Sequence, residues 1–237
     1  MMNKDILHLN FYGIKVKASS NDTYIIEDIR RDFSYFVSPI NENVNIEIFI
    51  HNTMPPYNII PELKALLYGP NYIAYNNGDV RYVDYQGKLL SIYNFSKNIG
   101  EIYGQDKDLL HEITYLLILS RVGEALDKLG IHRIHALGIS INGKAILCLL
   151  PMGAGKTTLA LKLLEEEKIK LLSDDICLVT GKGEVLPFPL RIGVHQDANL
   201  SIPDQYLQGF TRSKYGPKTL IDICYFKDKL SEKSKIS

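Results

Sequence analysis

The chain has 237 residues, enough to bury a sizeable core as one large or two smaller domains, and its 27 Lys plus Arg balance 27 Asp plus Glu, for a formal charge of +0 at pH 7. That balance removes the simplest support for a polyanion partner, so neither a nucleic-acid nor a membrane-surface role is expected. Cys148, Cys177 and Cys224 lie in separate apolar segments without CxxC spacing and read as reduced core residues of a cytoplasmic protein. No segment is apolar for long enough to span a bilayer, and Lys4, Asp5 and His8 interrupt what a signal peptide would need.

Taken in chain order, residues 1–105 read as a smaller β-rich N-terminal domain, antiparallel in character. Runs rich in β-branched and aromatic residues recur at 7–16, 23–26, 44–50, 72–75, 80–85 and 88–93. Asn76-Asn77-Gly78-Asp79 and Gln86-Gly87 are hairpin-turn signals between the last three. From 106 to 129 the period changes. Leu109, Ile113, Leu116, Leu117, Val122, Ala125 and Leu129 mark one wide face of a long helix, and Gly130 is placed to end it. The second domain, 106–237, continues with a strand-like run at 131–141, an Asn142-Gly143 turn and a near-continuous apolar run at 144–150, as for a strand buried on both faces.

That run enters Leu149-Leu150-Pro151-Met152-Gly153-Ala154-Gly155-Lys156-Thr157-Thr158, which reads as a phosphate-binding loop opening a helix. Only small residues such as Gly153, Ala154 and Gly155 let several backbone N–H groups converge on a phosphate chain. Lys156 would reach the outer phosphates, the Thr157 hydroxyl would ligate Mg²⁺, and the helix start, with Thr158, adds N–H groups and a positive dipole end. Leu150 stands where the usual pattern has glycine, so the turn out of the strand differs from the ordinary one.

The next segment discriminates further. Asp174 and Asp175 are adjacent carboxylates inside an apolar run at 170–179, a placement that costs several kcal/mol (~) unless a cation or strong donors compensate. A Mg²⁺ nucleotide at the neighbouring loop would do so. Neighbours on an extended strand face opposite ways. One carboxylate could therefore hold the metal while the other faces an acceptor hydroxyl as base, and the residues leave open which does which.

The order His135-Ala136, Asn142-Gly143, Gly153-Ala154-Gly155-Lys156-Thr157-Thr158, Leu172-Ser173-Asp174-Asp175 and Pro187-Phe188-Pro189 resembles the catalytic domain of HPr kinase/phosphorylase. It is closer still to the HPr-kinase-like proteins found beside peptide natural-product genes, such as those that phosphorylate lasso-peptide precursors. The resemblance covers about 132–194. It implies an α/β fold with a phosphate-loop domain of the HPr-kinase and PEP-carboxykinase type, and phosphoryl transfer from ATP to a serine of a peptide or small protein.

Carried over by residue, the resemblance gives Lys156 and Thr157 to phosphate and Mg²⁺, Asp175 to the metal as well, Asp174 or Asp175 to the base, and His135 to a place beside the phosphates. Arg191, Arg212, Lys214 and Lys218 are further candidates to meet phosphate. After 194 the motifs thin to one strand-like run at 220–226 and a charged tail at 227–237, so the domain reads as C-terminally incomplete. Two other readings stay open, a nucleotide-binding regulatory or scaffold protein with a degenerate loop, and a small-molecule kinase or phosphohydrolase. The oligomeric state is open, a homo-oligomer included.

Overall fold

The computed structural model describes residues 5–40, 43–151, 153–196, 198, 201–212 and 216–236. The chain forms two compact units. Unit 1 comprises Met1–Arg30, Phe36–Val122 and Arg212–Lys214, and unit 2 comprises Arg31–Tyr35, Gly123–Thr211 and Tyr215–Ser237.

Unit 1 is built on a sheet of eight strands: β1 (Asp5–Phe11), β2 (Ile14–Ser20), β3 (Ile46–Asn52), β4 (Ala65–Tyr68), β5 (Ile73–Asn77), β6 (Val80–Asp84), β7 (Leu89–Asn94) and β8 (Ile99–Gly104), in the order β1-β2-β3-β8-β7-β6-β5-β4. Alternation along β1, the first part of β2 and β3 sends Leu7, Leu9, Phe11, Val16, Ala18, Ile48 and Ile50 into the core. The expected hairpins at 76–79 and 86–87 are present, with Gly78 and Gly87 at positive φ. The sheet is mixed rather than antiparallel, because β3 runs parallel to both β2 and β8.

The parallel step from β2 to β3 contains α1 (Thr23–Asp32), where a strand at 23–26 was expected. Asp22 accepts the Tyr24 N–H at 2.9 Å, capping a helix start. Ile25, Ile26 and Ile29 then fall on one buried helical face. The long helix α2 (Lys107–Lys128) matches its expected span, and Gly130 follows it at φ +72°.

Unit 2 holds a seven-stranded sheet and a three-stranded one. The larger contains β9 (Ile131–His135), β10 (Leu137–Ile141), β11 (Lys144–Cys148), β12 (Ile169–Ser173), β13 (Ile176–Thr180), β14 (Glu184–Leu186) and β18 (Ser234–Ile236), in the order β12-β10-β11-β18-β14-β13-β9. The smaller contains β15 (Ile192–His195), β16 (Leu207–Arg212) and β17 (Gly216–Ile221), in the order β15-β17-β16. A short helix, α3 (Lys156–Leu163), follows β11. Ala160 and Leu164 seat it against Leu137, Ile139, Leu171, Ile192 and Ile221.

This architecture overturns the expected α/β phosphate-loop fold. The described residues are mostly β, in three sheets of mixed and antiparallel strands with few helices, and β11–β18 is the parallel pair of the larger sheet in unit 2. The physical reason is visible in β11. Lys144 and Ile146 are exposed while Ala145 is buried, so the run covered on both faces that a parallel α/β sheet requires is here a strand with one open face. The charged tail also differs from expectation. Phe226 is buried in a 3-10 stretch at Ile223–Lys229, and β18 is inserted between β11 and β14, with the Ser234 hydroxyl donating to Ser140 Oγ at 2.8 Å.

Gly138 is where the sheet tolerates no side chain. A Cβ there would lie 2.6 Å from Cys177 Sγ and 3.3 Å from Leu172 Cβ. Gly138→Ala should therefore destabilise unit 2 by about 1–3 kcal/mol through overpacking, read as a lower midpoint in urea with an unchanged slope.

Candidate active site

The site is made by a double exchange of strand partners. His135 at the end of β9 pairs with Ile176 at the start of β13, whereas Gly138 near the start of β10 pairs with Ser173 at the end of β12. Both segments therefore leave one partner and join another at the same level, one through Ala136 and the other through Asp174-Asp175. The Ala136 N–H donates to the Asp175 carbonyl at 3.1 Å, and the Cys177 thiol donates to the Ala136 carbonyl at 3.2 Å. Ser173, buried, closes the bend: its hydroxyl donates to the Phe188 carbonyl at 3.0 Å and accepts the Ile176 N–H at 3.3 Å. This bend lets two adjacent aspartates serve one site.

The loop that follows β11 enters α3 through Gly153 at φ +80° and Gly155 at φ +85°. An added Cβ would meet nothing within 4 Å at either. Backbone conformation rather than crowding thus demands glycine, and the space before the helix is open. Gly155 caps α3 without any side-chain hydrogen bond. The N–H groups of Lys156, Thr157 and Thr158 have no acceptor within the helix by its geometry. Gly153, Ala154, Gly155 and Thr158 are exposed and Lys156 is buried. Met152 lies outside the described residues.

The side chains divide into two linked pairs. Thr157 Oγ1 donates to Asp174 Oδ2 at 3.1 Å. His135 Nδ1 lies 3.1 Å from Asp175 Oδ1, and its Nε2 lies 2.8 Å from Lys156 Nζ. The ammonium has only protons to offer, so Nε2 is the acceptor and Nδ1–H faces the carboxylate. Lys156 also donates to the Leu150 carbonyl at 2.9 Å, which gives the non-glycine position a role through its backbone.

The structure therefore brings together His135, Lys156, Thr157, Asp174 and Asp175, and sets Asp174, not Asp175, against Thr157. Asp174 Oδ1 is buried and has no hydrogen-bond partner among the described residues, while the Asp175 side chain is 61% exposed. Burial is the chief cause that pushes the Asp174 carboxyl up to about 6. The Thr157 hydrogen bond opposes it, the Asp175 charge adds to it, and Lys156 and Lys218 pull it down. Lys218, on β17, is thus an electrostatic neighbour of the site.

Arg191 is not. Its guanidinium donates to Asp222 Oδ1 at 2.9 Å and Asp32 Oδ1 at 3.2 Å, and to Gln208. Lys214 lies outside the described residues, as does the Arg212 side chain. His132 sits beside Asp127 at 3.5 Å. Of the cysteines, Cys177 is buried and Cys224 exposed, so the expectation of three core thiols fails at Cys224.

Thr157 Oγ1 and the Asp174 carboxylate are hard oxygen donors, and the orphaned Oδ1 is a ready ligand position, so these residues fit Mg²⁺. No cluster of three or more His, Cys, Asp and Glu suited to a metal occurs among the described residues. What sequence reasoning missed is Ser173. Its signal would have been a buried hydroxyl beside two carboxylates, the minimum needed to pin a bend. The chain matches no protein-family model, and no curated protein matches it. Among the described residues no helix is long and apolar enough to cross a membrane.

The raised Asp174 carboxyl gives a pH prediction for the ligand-free protein. The folded state holds this proton up to about 6 whereas the unfolded chain releases it near 3.8. Between those values the native state binds more protons, so stability falls as pH rises through the window, by an amount on the order of 3 kcal/mol. Asp174→Asn, which keeps an acceptor for Thr157, should flatten that fall. Urea midpoints of both proteins between pH 4 and pH 7, on the order of ten points each, decide it; parallel curves refute the assignment.

Proposed function

We propose that the chain is an ATP-dependent kinase that transfers a phosphoryl group to a serine hydroxyl of a peptide or small protein. The observation that carries the reading is the convergence of Lys156, the Thr157–Asp174 pair and the His135–Asp175 pair at the open mouth of a glycine loop. The motif order from His135 to Pro189, similar to that of HPr-kinase-like proteins, supports the same chemistry.

The loop N–H groups and the α3 start receive the phosphates, in the manner of helix N-termini generally. Lys156, released from His135 and Leu150, turns its ammonium to the outer phosphate oxygens. Thr157 and Asp174 would hold Mg²⁺, which supplies charge neutralisation on the phosphates when bound. Burial of Asp174 in a site with an unmet acceptor makes that cation the partner its charged form lacks. Asp175, exposed and steadied by His135 Nδ1–H, takes the proton of the attacking serine as the oxygen bonds to phosphorus and the bond to ADP breaks. A base that accepts the proton late does not need a high pKa. Positioning and charge account for the rest.

Calorimetry and an acceptor assay separate the roles. Wild type should bind Mg²⁺-ATP, and Lys156→Ala should bind at least about tenfold more weakly, a loss of about 1.4 kcal/mol or more. Asp174→Ala should lose the dependence of nucleotide binding on Mg²⁺. Asp175→Ala should bind nucleotide within about twofold of wild type yet lose on the order of 10²–10⁴ in transfer to a serine peptide, the range expected for a missing base. Binding by wild type without transfer to any serine peptide would leave the nucleotide-binding regulatory reading. No binding at all would end both.

A further inference from the structure

Unit 1 treats the two edges of its eight-stranded sheet differently. At β1 the chain covers its own edge: Leu9 bridges to Val37, and the Ser38 N–H donates to the His8 carbonyl at 3.0 Å. At the other edge, β4 pairs with β5 alone among the described residues. The backbone donors and acceptors along its outer side therefore meet no strand. Exposed edges are ordinarily guarded by charged side chains, by proline or by a bulge. β4 has a register shift between Ala65 and Leu67, but no charge guards it: residues 65–78, which span the β4–β5 hairpin, contain no charged side chain.

The side chains of this edge are open as well. Leu66, Leu67 and Tyr68 are 56%, 51% and 74% exposed, and Leu67 and Tyr68, as successive strand residues, point to opposite faces. Burial within the fold thus does not account for apolar residues here. More apolar surface lies at the same end. Tyr68 pairs across β5 with Ile73, which pairs with Asp84 of β6, and the Asp84 carboxylate accepts the Tyr57 hydroxyl at 2.7 Å. The 3-10 turn Tyr57–Ile59 therefore sits beside that row, with Ile59 exposed. A single exposed leucine is ordinary, whereas a run of them beside an unpaired edge marks a contact surface.

We propose that β4 pairs with β4 of a second copy of this chain, antiparallel about a two-fold axis near Leu67, so that one sheet runs through both copies. The charge pattern selects this occupant. In a symmetric antiparallel pair the residues nearest the axis lie opposite their own counterparts, so any charge there would meet its like. The hairpin holds none. Glu62 and Lys64, outside the strand, fall opposite Tyr72 and Pro70 of the second copy in this register, and neither is charged. An acidic or basic peptide would find no opposite charge along the same edge. The cover over β1 leaves β4 as the edge of this sheet that is open to another copy, so the association closes at two copies rather than continuing as a filament.

The test is sedimentation equilibrium of the full-length chain without nucleotide. Wild type should show a reversible monomer–dimer equilibrium with a Kd on the order of 10–100 μM, since a short edge gives an interface at the small end of the range. Leu67→Lys and Leu67→Glu should each weaken the dimer at least about tenfold, because each sets a like charge against itself. An equimolar mixture of the two variants should regain a dimer within about threefold of wild-type strength, as opposite charges then face each other. Leu67 is exposed, so both variants should keep the wild-type urea midpoint, and the mixture shows independently that they are folded. A monomeric wild type, a dimer indifferent to both substitutions, or a mixture that stays monomeric overturns the proposal. A monomeric wild type whose β4 amides shift on addition of an uncharged apolar peptide would give the edge to a different protein, which overturns it too. Nucleotide takes no part in any of these measurements, so their failure leaves the kinase reading where it stands.

Discussion

Everything behind the candidate site in unit 2 depends on one buried cation. Arg191, with 2% of its side chain exposed, is held between Asp32 and Asp222, themselves 4% and 8% exposed. Three charges removed from water are tolerable only when each is matched, and removal of one partner from such a group commonly costs about 3–5 kcal/mol. Asp222 also receives Arg31 through its other oxygen at 2.7 Å, so the four charges cancel. The segment that contains Arg191 leads back through Phe188, whose carbonyl takes the Ser173 hydroxyl and whose N–H donates to the Leu172 carbonyl at 2.8 Å. A continuous path of bonds thus runs from Asp222 through Arg191 and Phe188 to the bend that presents Asp174 and Asp175.

That path explains why adjacent carboxylates lie in different surroundings. On a straight strand they would face opposite sides of the sheet. Here the chain changes sheet partners between β12 and β13, and the turn brings both to one space with unlike surroundings. One is enclosed, bonded to a hydroxyl and short of a partner; the other is open and steadied by an imidazole. Burial is the chief cause that raises the carboxyl of the enclosed one, Asp174, to about 6.

Features set by local rules could be read from the sequence. The Asn142-Gly143 turn adopts positive φ at both residues, as an Asn-Gly pair between strands requires, and the α2 periodicity gave its span within a residue or two at each end. The glycine loop and the aspartate pair were also legible, because small residues before a helix and carboxylates in an apolar run each have few physical explanations. Other features depended on distant partners. The Thr23-Tyr24-Ile25-Ile26 run has strand composition, and the Asp22 cap with Ile29 four residues after Ile25 decided for helix. The 131–141 run looked like one strand, but it divides at Ala136 because its halves pair with β13 and β12. The parallel pairs of β3, and the exposed face of β11 that overturned the α/β expectation, arise from pairings across long stretches of chain. The different surroundings of Asp174 and Asp175 were likewise invisible, since they turn on a bend held by Ser173.

The position of β18 in its sheet has a consequence for how the protein is made. Residues 234–236 lie between β11 and β14, at the middle of the seven strands rather than at an edge. During synthesis the ribosome delivers β9 through β14 first, and those strands must wait with two unpaired inner edges while the rest of the chain emerges. Lys235 then bonds beside both Lys144 and Glu184, so a single late arrival closes both gaps at once. Contacts this remote in sequence slow folding. Open strand edges also invite pairing with other chains in the meantime, so unit 2 carries that hazard until residues 234–236 take their place between β11 and β14.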